Sequence, residues 1–252
     1  MKNNNKFRLD VWGAITLGTI ALYALFLLYP MAYLIRQSVL DPDTGSFTLA
    51  YFTKFFSKSY YFDTLINSFK VSITATVLSI AIGTPLAYLF TIFKIKGKSV
   101  LNILIVVASM SAPFIGAYSW ILLLGRSGVI TTFFKNLGIA IPDIYGFGGI
   151  VLVMTLQLFP LVFLYAKGAL KNIDNSLIEA AENLGCSGIA CFFKVVVPLI
   201  MPTLLAAALL VFMRSFADFG TPMLIGEGYR TFPVVLYTEF INEVGGSDGF
   251  AA

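Results

Sequence analysis

The chain has 252 residues, of which 58% are hydrophobic, 12% are charged and none is histidine. Soluble domains carry about 25% charged residues, so this balance excludes an ordinary soluble protein and points to an all-α polytopic membrane protein. The lack of histidine, with Cys186 and Cys191 as the only thiols, removes the ligands of a structural zinc or haem site and the base of a serine–histidine or metalloprotease centre; the formal charge of +4 is spread over loops and reads as topology rather than nucleic-acid binding.

Five uncharged runs, Val11 to Ile35, Val71 to Phe93, Ser99 to Gly125, Ile144 to Ala166 and Val195 to Met213, each reach the roughly 18 residues of a spanning helix. The first follows Lys2, Lys6 and Arg8, as a secretory signal would. Its apolar core is longer than the roughly 7 to 15 residues of such a signal and no small-x-small cleavage site follows, so it is expected to stay as an anchor. The tail and the link Lys94-Ile95-Lys96-Gly97-Lys98 carry three basic residues each, and basic residues in short segments mark the cytoplasmic side. Alternation then puts 36–70 and 126–143 outside, 167–194 inside, and everything after the fifth run outside. Both cysteines fall inside, where thiols stay reduced, and no disulfide is expected.

The external stretch from Asp41 to Asp63 opens on a turn-rich segment and continues with Tyr51, Phe52, Phe55, Phe56, Tyr60, Tyr61 and Phe62. Aromatic rings favour the membrane–water level, so an interfacial position is expected and no site is assigned there. Pro85, Pro113 and Pro160 fall inside the second, third and fourth runs. The carbonyls they free must be met by neighbouring helices or by a water-lined cavity. Gln157, the one amide side chain of the fourth run, is expected to bond another helix.

Between the fourth and fifth runs stands the polar stretch Ser176-Leu177-Ile178-Glu179-Ala180-Ala181-Glu182-Asn183-Leu184-Gly185. Ser176 and Glu179 have capping-box spacing and predict the helix start. Gly185 supplies the left-handed residue that ends it, after about eight residues or some 12 Å. Ala180 and Ala181 leave its middle nearly bare, a surface another body can approach closely.

After the fifth run, Arg214 and Asp218 lie four apart, on one helix face, and can pair. With a start near Leu199, Arg214 lies about 22 Å along the helix, near the external edge of a roughly 30 Å core. A pair snorkelling to the interface and a pair lining a pathway both fit. Gly220 and Pro222 are expected to stop the helix. An amphipathic external segment runs from Thr231 to Val244, no sixth run follows, and the ending Gly249-Phe250-Ala251-Ala252 reads as a cut in a longer protein. Residues 1–10 are then a cytoplasmic tail, 11–37 the anchor and 38–63 an external segment. Residues 64–219 form the membrane core, with a cytoplasmic loop at 171–198, and 220–252 a second external segment.

Glu179-Ala180-Ala181, three residues, Gly185, nine residues and Val195-Val196-Val197-Pro198 resemble the EAA loop of ABC importer permeases, Glu-Ala-Ala, three, Gly, nine, Ile-x-Leu-Pro. Val195 and Val197 replace the family's isoleucine and leucine. The likeness extends to Asn67-Ser68-Phe69 and Gly83-Thr84-Pro85-Leu86-Ala87-Tyr88 and covers about residues 60 to 240. It implies a six-helix permease core, five of whose helices are visible, with a short cytoplasmic coupling helix. Glu179, Ala180, Ala181 and Gly185 would dock in a groove of a cytoplasmic ATPase dimer, with Pro198 ending the loop. Substrate would arrive from an external binding protein, and a second permease half would come from a separate chain, the same chain or a fused half. ATP and Mg would belong to the ATPase, with no cofactor in this chain. Arg214-Ser215-Phe216-Ala217-Asp218-Phe219-Gly220-Thr221-Pro222 looks like the matching stretch of ferric iron permeases, relatives of putrescine, thiamine and phosphonate systems. No cluster of ferric iron ligands stands within the runs, so metal choice would rest with the binding protein.

Gly97-Lys98-Ser99 echoes the end of a phosphate-binding loop, but the glycine required five positions earlier is Ile92, so no ATPase site is expected here. Two other classes compete with the importer. A secondary carrier or channel would need an in-membrane carboxylate such as Asp218, and a membrane scaffold or sensor would use the polar helix to recruit a protein other than an ATPase.

Overall fold

A computed structural model describes residues 11–41, 45–93, 96–110, 112–139, 141–186 and 188–241. The basic tail, Lys94, the turn at 42–44 and the segment 242–252 lie outside them. The chain divides into two units, residues 1–59 with 236–252, and residues 60–235. The described residues are nearly all helical, with five helices long and apolar enough to cross a membrane.

In the first unit, α1 (Val11–Val39) is uncharged up to Arg36 and buries none of its spanning window, as a helix surrounded by lipid should. Its turn at Ala24–Leu28 is π-helical, the Tyr29 amide reaching back five residues to the Ala24 carbonyl just before Pro30. A proline ring collides with the carbonyl four residues back, and a widened turn ahead of it relieves that collision. α2 (Ala50–Ser57) follows, with Phe52 and Phe56 exposed.

The second unit begins in α3 (Ser59–Ile92). Tyr60, Tyr61 and Phe62, expected in an external loop, are its first turn, because no proline or glycine stands between Ser59 and the apolar run. Its 34 residues make a rod of about 51 Å, so α3 tilts in or projects beyond a roughly 30 Å hydrocarbon core.

The third run is not one helix. α4 (Lys98–Ser109) and α5 (Pro113–Leu124) are separated by Met110 to Ala112. Ala112 is extended, at φ −67° and ψ 142°, the conformation that a following proline imposes. Pro113 therefore opens a helix rather than bending one. α6 (Val129–Asn136) follows, packed on α5, and then α7 (Phe147–Lys171). α7 is the most enclosed of the five candidate spans, with half of its spanning window buried.

Beyond α7 come α8 (Asn175–Asn183), α9 (Gly188–Ala217), α10 (Gly220–Ile225) and α11 (Phe232–Ile241). α9 contains a second π turn, Phe192–Val196, again just ahead of a proline, Pro198. Early in α11, Val234 and Val235 are buried, so part of the segment expected outside packs into the apolar interior of this unit.

Two apolar clusters hold this unit together. One gathers Ala87 and Phe90 of α3, Phe163, Ala166 and Leu170 of α7, and Phe192, Val196 and Ile200 of α9, with Ile178 of α8 packed on its edge. Phe90 and Phe163 meet edge to face at 5.1 Å, a favoured aromatic geometry. The other joins Val71 and Ala75 of α3, Ala117 of α5, Ile150, Val151, Val153 and Met154 of α7 and Ile225 of α10. Between them α3 crosses α7 at Gly83, where a β-carbon would lie 2.9 Å from both the Phe159 carbonyl oxygen and Val162 Cβ. Only glycine allows that approach. Pro160 is buried at the same crossing, while Gln157, expected to bond a neighbouring helix, has its buried Nε2 without a partner.

Candidate functional site

The short polar helix predicted between the fourth and fifth runs forms, with its start moved by two residues. Asp174, not Ser176, caps α8: the Ser176 amide donates to Asp174 Oδ1 at 3.0 Å and the Leu177 amide to the Asp174 carbonyl. Aspartate is as good a cap as serine and comes first in the chain, so the expected Ser176–Glu179 box is not formed. The bonds from Ser176 hold the Asp174 carboxyl below the usual carboxylate range. At the other end Gly185 has φ +82°, and the Cys186 amide donates to the Ala181 carbonyl at 3.0 Å. That six-to-one bond closes a Schellman turn, as the glycine predicts.

With both ends capped, α8 uses one side to anchor and leaves the other open. Ile178 packs on the cluster formed by α7 and α9. Glu179 and Ala180 are exposed, Ala181 is half-buried, and Gly185 has open space around its α-carbon. Three large apolar side chains border this surface, Leu177 at 49%, Leu184 at 89% and Ile189 at 80% exposure. Composition singled out the alanines and missed these three; their signal was apolar residues at the flanks of an otherwise polar loop. The result is a small-residue surface with an apolar rim beside the exposed Glu179 carboxylate.

Pro198 does not join this face. α9 begins at Gly188, so Pro198 lies about 15 Å along the helix and the loop ends ten residues earlier than expected. The π turn at Phe192–Val196, with the Val197 amide bonded to the Phe192 carbonyl, lets the helix run through the proline.

Arg214 and Asp218 are not paired. α9 ends at Ala217, and Asp218 turns extended, at φ −73° and ψ 121°, which takes its side chain off the helix face that Arg214 shares. Its carboxylate instead caps α10: Oδ1 accepts from the Gly220 amide at 2.9 Å and Oδ2 from the Thr221 hydroxyl at 2.7 Å. Gly220 and Pro222, expected as a stop, sit in the first turn of α10. Gly220 packs on the start of α5, where a β-carbon would come within 3.2 Å of Pro113 Cβ, and Phe114 and Phe219 meet edge to face at 5.1 Å. The breaks before α5 and before α10 are thus neighbours. At the end of α7 remote from α8, Arg126 binds Asp143 at 3.1 Å and Glu227 at 2.8 Å, and stacks 4.7 Å from the Tyr145 ring centre. That hub ties three loops together.

Known proteins agree with this architecture. Residues 46–246 match the family described as binding-protein-dependent transport system inner membrane component. The ferric transport system permease protein FbpB of Actinobacillus pleuropneumoniae is 28% identical over 94% of this chain and 34% of its own length. The spermidine/putrescine transport system permease protein PotB of Haemophilus influenzae is 28% identical over 88% of this chain and 79% of its own. The chain thus spans about a third of the ferric permease and most of the polyamine one. Among solved structures, a chain of a bacterial alginate ABC transporter, crystallised with an alginate pentasaccharide-bound periplasmic protein, superposes with a TM-score of 0.78. That match covers 96% of this chain and 86% of the other at 16% identity, so it speaks for the fold alone. With the family match running through every helix from α2 to α11, the chain belongs to the inner membrane components of binding-protein-dependent transport systems.

Proposed function

We propose that the chain is the membrane-spanning permease subunit of an ATP-driven importer and that α8 is its coupling helix. One observation carries this reading: a short helix, capped at both ends and placed between two membrane-crossing helices, presents exposed Glu179, Ala180 and Gly185 while Ile178 is anchored in the core. A load on that face travels through the helix as a rigid body. Asn172 to Asp174 link it to α7, and α9 opens at Gly188 a few residues after its end, so a displacement of α8 is passed to its neighbouring helices. A cytoplasmic ATPase dimer supplies the load when it closes on ATP with Mg. The spans alternate between inward- and outward-facing states and pass substrate brought by an external binding protein. The positive-inside bias places the amino terminus and α8 in the cytoplasm.

Ferric iron is the substrate we favour, on the likeness of Arg214 to Pro222 to ferric permeases and on the FbpB relatives. A polyamine is the second reading, favoured by relatives such as PotB that are matched over most of their length. Uptake of radiolabelled ferric iron and of spermidine, in cells lacking the full-length gene and in cells complemented with it, separates the two. Loss and rescue of iron uptake alone is expected; loss and rescue of spermidine alone moves the substrate to polyamines. Uptake that survives ATP depletion and falls when ion gradients are collapsed would replace the importer with a secondary carrier.

A further inference from the structure

We propose that α4 and α7 form a binding site for the phosphate of an anionic phospholipid headgroup, built from Lys98, Lys167 and Lys171. It needs only that the chain crosses a membrane and is independent of the coupling role of α8. Lys98 and Asn102 stand one turn apart on α4, and Lys167 and Lys171 one turn apart on α7. The Lys167 ammonium donates to Asn102 Oδ1 across the two helices and lies 5.4 Å from the centre of the Phe163 ring. That bridge sets the register. Lys98 opens α4 and Lys171 closes α7, so the two stand at the same end of the bridged pair, and both charges act on Lys167.

Three like charges converge there, and among the described residues no carboxylate forms an ion pair with them. Asp174, three residues beyond Lys171, is engaged in capping α8. Lys98 and Lys167 are half-buried, so their mutual repulsion is less screened than on an open surface. Beyond Lys98, α4 presents Val100, Ile103, Leu104 and Val107, each about 60% exposed, along a helix with no fully buried residue. An apolar wall running into the membrane from a cluster of ammonium groups matches a lipid, with acyl chains along α4 and phosphate at the lysines. A soluble anion satisfies the lysines and leaves the wall unused.

Each lysine near an anionic membrane surface contributes about five-fold in affinity, so Lys98→Gln with Lys171→Gln should weaken binding about 25-fold. The test is native mass spectrometry of the purified full-length permease with its partners, titrated with phosphatidylglycerol, phosphatidylcholine or inorganic phosphate. Retention of phosphatidylglycerol over phosphatidylcholine is expected. It should be lost in the double glutamine variant, kept in Lys98→Arg with Lys171→Arg, and unchanged in Lys58→Gln with Lys135→Gln. Equal retention of the two lipids, displacement of lipid by inorganic phosphate, or wild-type binding by the double glutamine variant would overturn the site. So would loss of a partner subunit from that variant with lipid retention intact, since the lysines would then serve a protein contact.

Discussion

The crossing of α3 over α7 and the helix α8 are both built around small residues, yet for opposite reasons. At the crossing Gly83 is buried, and the atoms that would meet an added methyl are largely backbone, Phe159 O and Phe163 N. On α8 the small residues face open space, and Gly185 meets nothing within 4 Å. Smallness at the crossing is a packing constraint internal to the fold. Smallness on α8 leaves room for something the chain does not itself contain, and only a left-handed turn at Gly185 is required by its own backbone.

Substitutions that separate these two demands test the comparison, and the largest effect on stability belongs to the crossing. Gly83→Ala should cost about 1–3 kcal/mol by overpacking against backbone, read as a fall of several degrees in the Tm of the detergent-purified protein. An unchanged Tm would mean that the two helices can separate freely there. The junction of α9 and α10 comes next. Asp218→Ala removes the cap of α10 and strands the buried Thr221 hydroxyl, a loss of about 1–2 kcal/mol, whereas Arg214→Ala should leave Tm in place. Equal destabilisation by the two variants would restore the ion pair that the sequence suggested.

At Gly185 the balance reverses. Gly185→Glu forces a β-carbon into the left-handed region at a local cost of roughly 1–2 kcal/mol and puts charge on the docking face. Substrate uptake and substrate-stimulated ATPase should collapse while the unfolding of the core barely shifts. Retention of both activities would remove α8 from the coupling role. The smallest effect is at the cap. Because the folded Asp174 carboxyl is held below its unfolded value, its contribution is fully present above the ordinary carboxylate pKa and is lost as pH falls through the lowered folded value. Asp174→Ala should therefore speed hydrogen exchange of the Ser176 and Leu177 amides at neutral pH, with the difference closing in acid. A difference that persists in acid would show that the charge is not what holds the cap.

Relatively little of the helix-end chemistry was legible in advance, although the helices themselves were. An apolar run announces a spanning helix because hydrocarbon tolerates few charges, and the family spacing from Glu179 to Pro198 marks the coupling loop. Which acid caps α8 was ambiguous, since Asp174 and Ser176 are both good caps two residues apart. Proline was the main source of error. Pro113 starts a helix because Ala112 is free to extend before it, whereas Pro198 is carried inside α9 by a π turn. The one-dimensional pattern does not distinguish these outcomes, because each depends on what packs against the freed carbonyls.

Composition and hydropathy alone determined that this is a multi-spanning helical membrane protein, and Gly185 determined where the short polar helix between two of its spans would end. Only the tertiary structure decided that α3 and α7 touch at Gly83, that Asp218 caps α10 instead of pairing with Arg214, and that Lys98 and Lys171 flank Lys167. The physical reason is range. Burial preference and backbone propensity act within a few turns of chain, while the partner of a buried or charged group is set by residues tens of positions away, brought close only by packing.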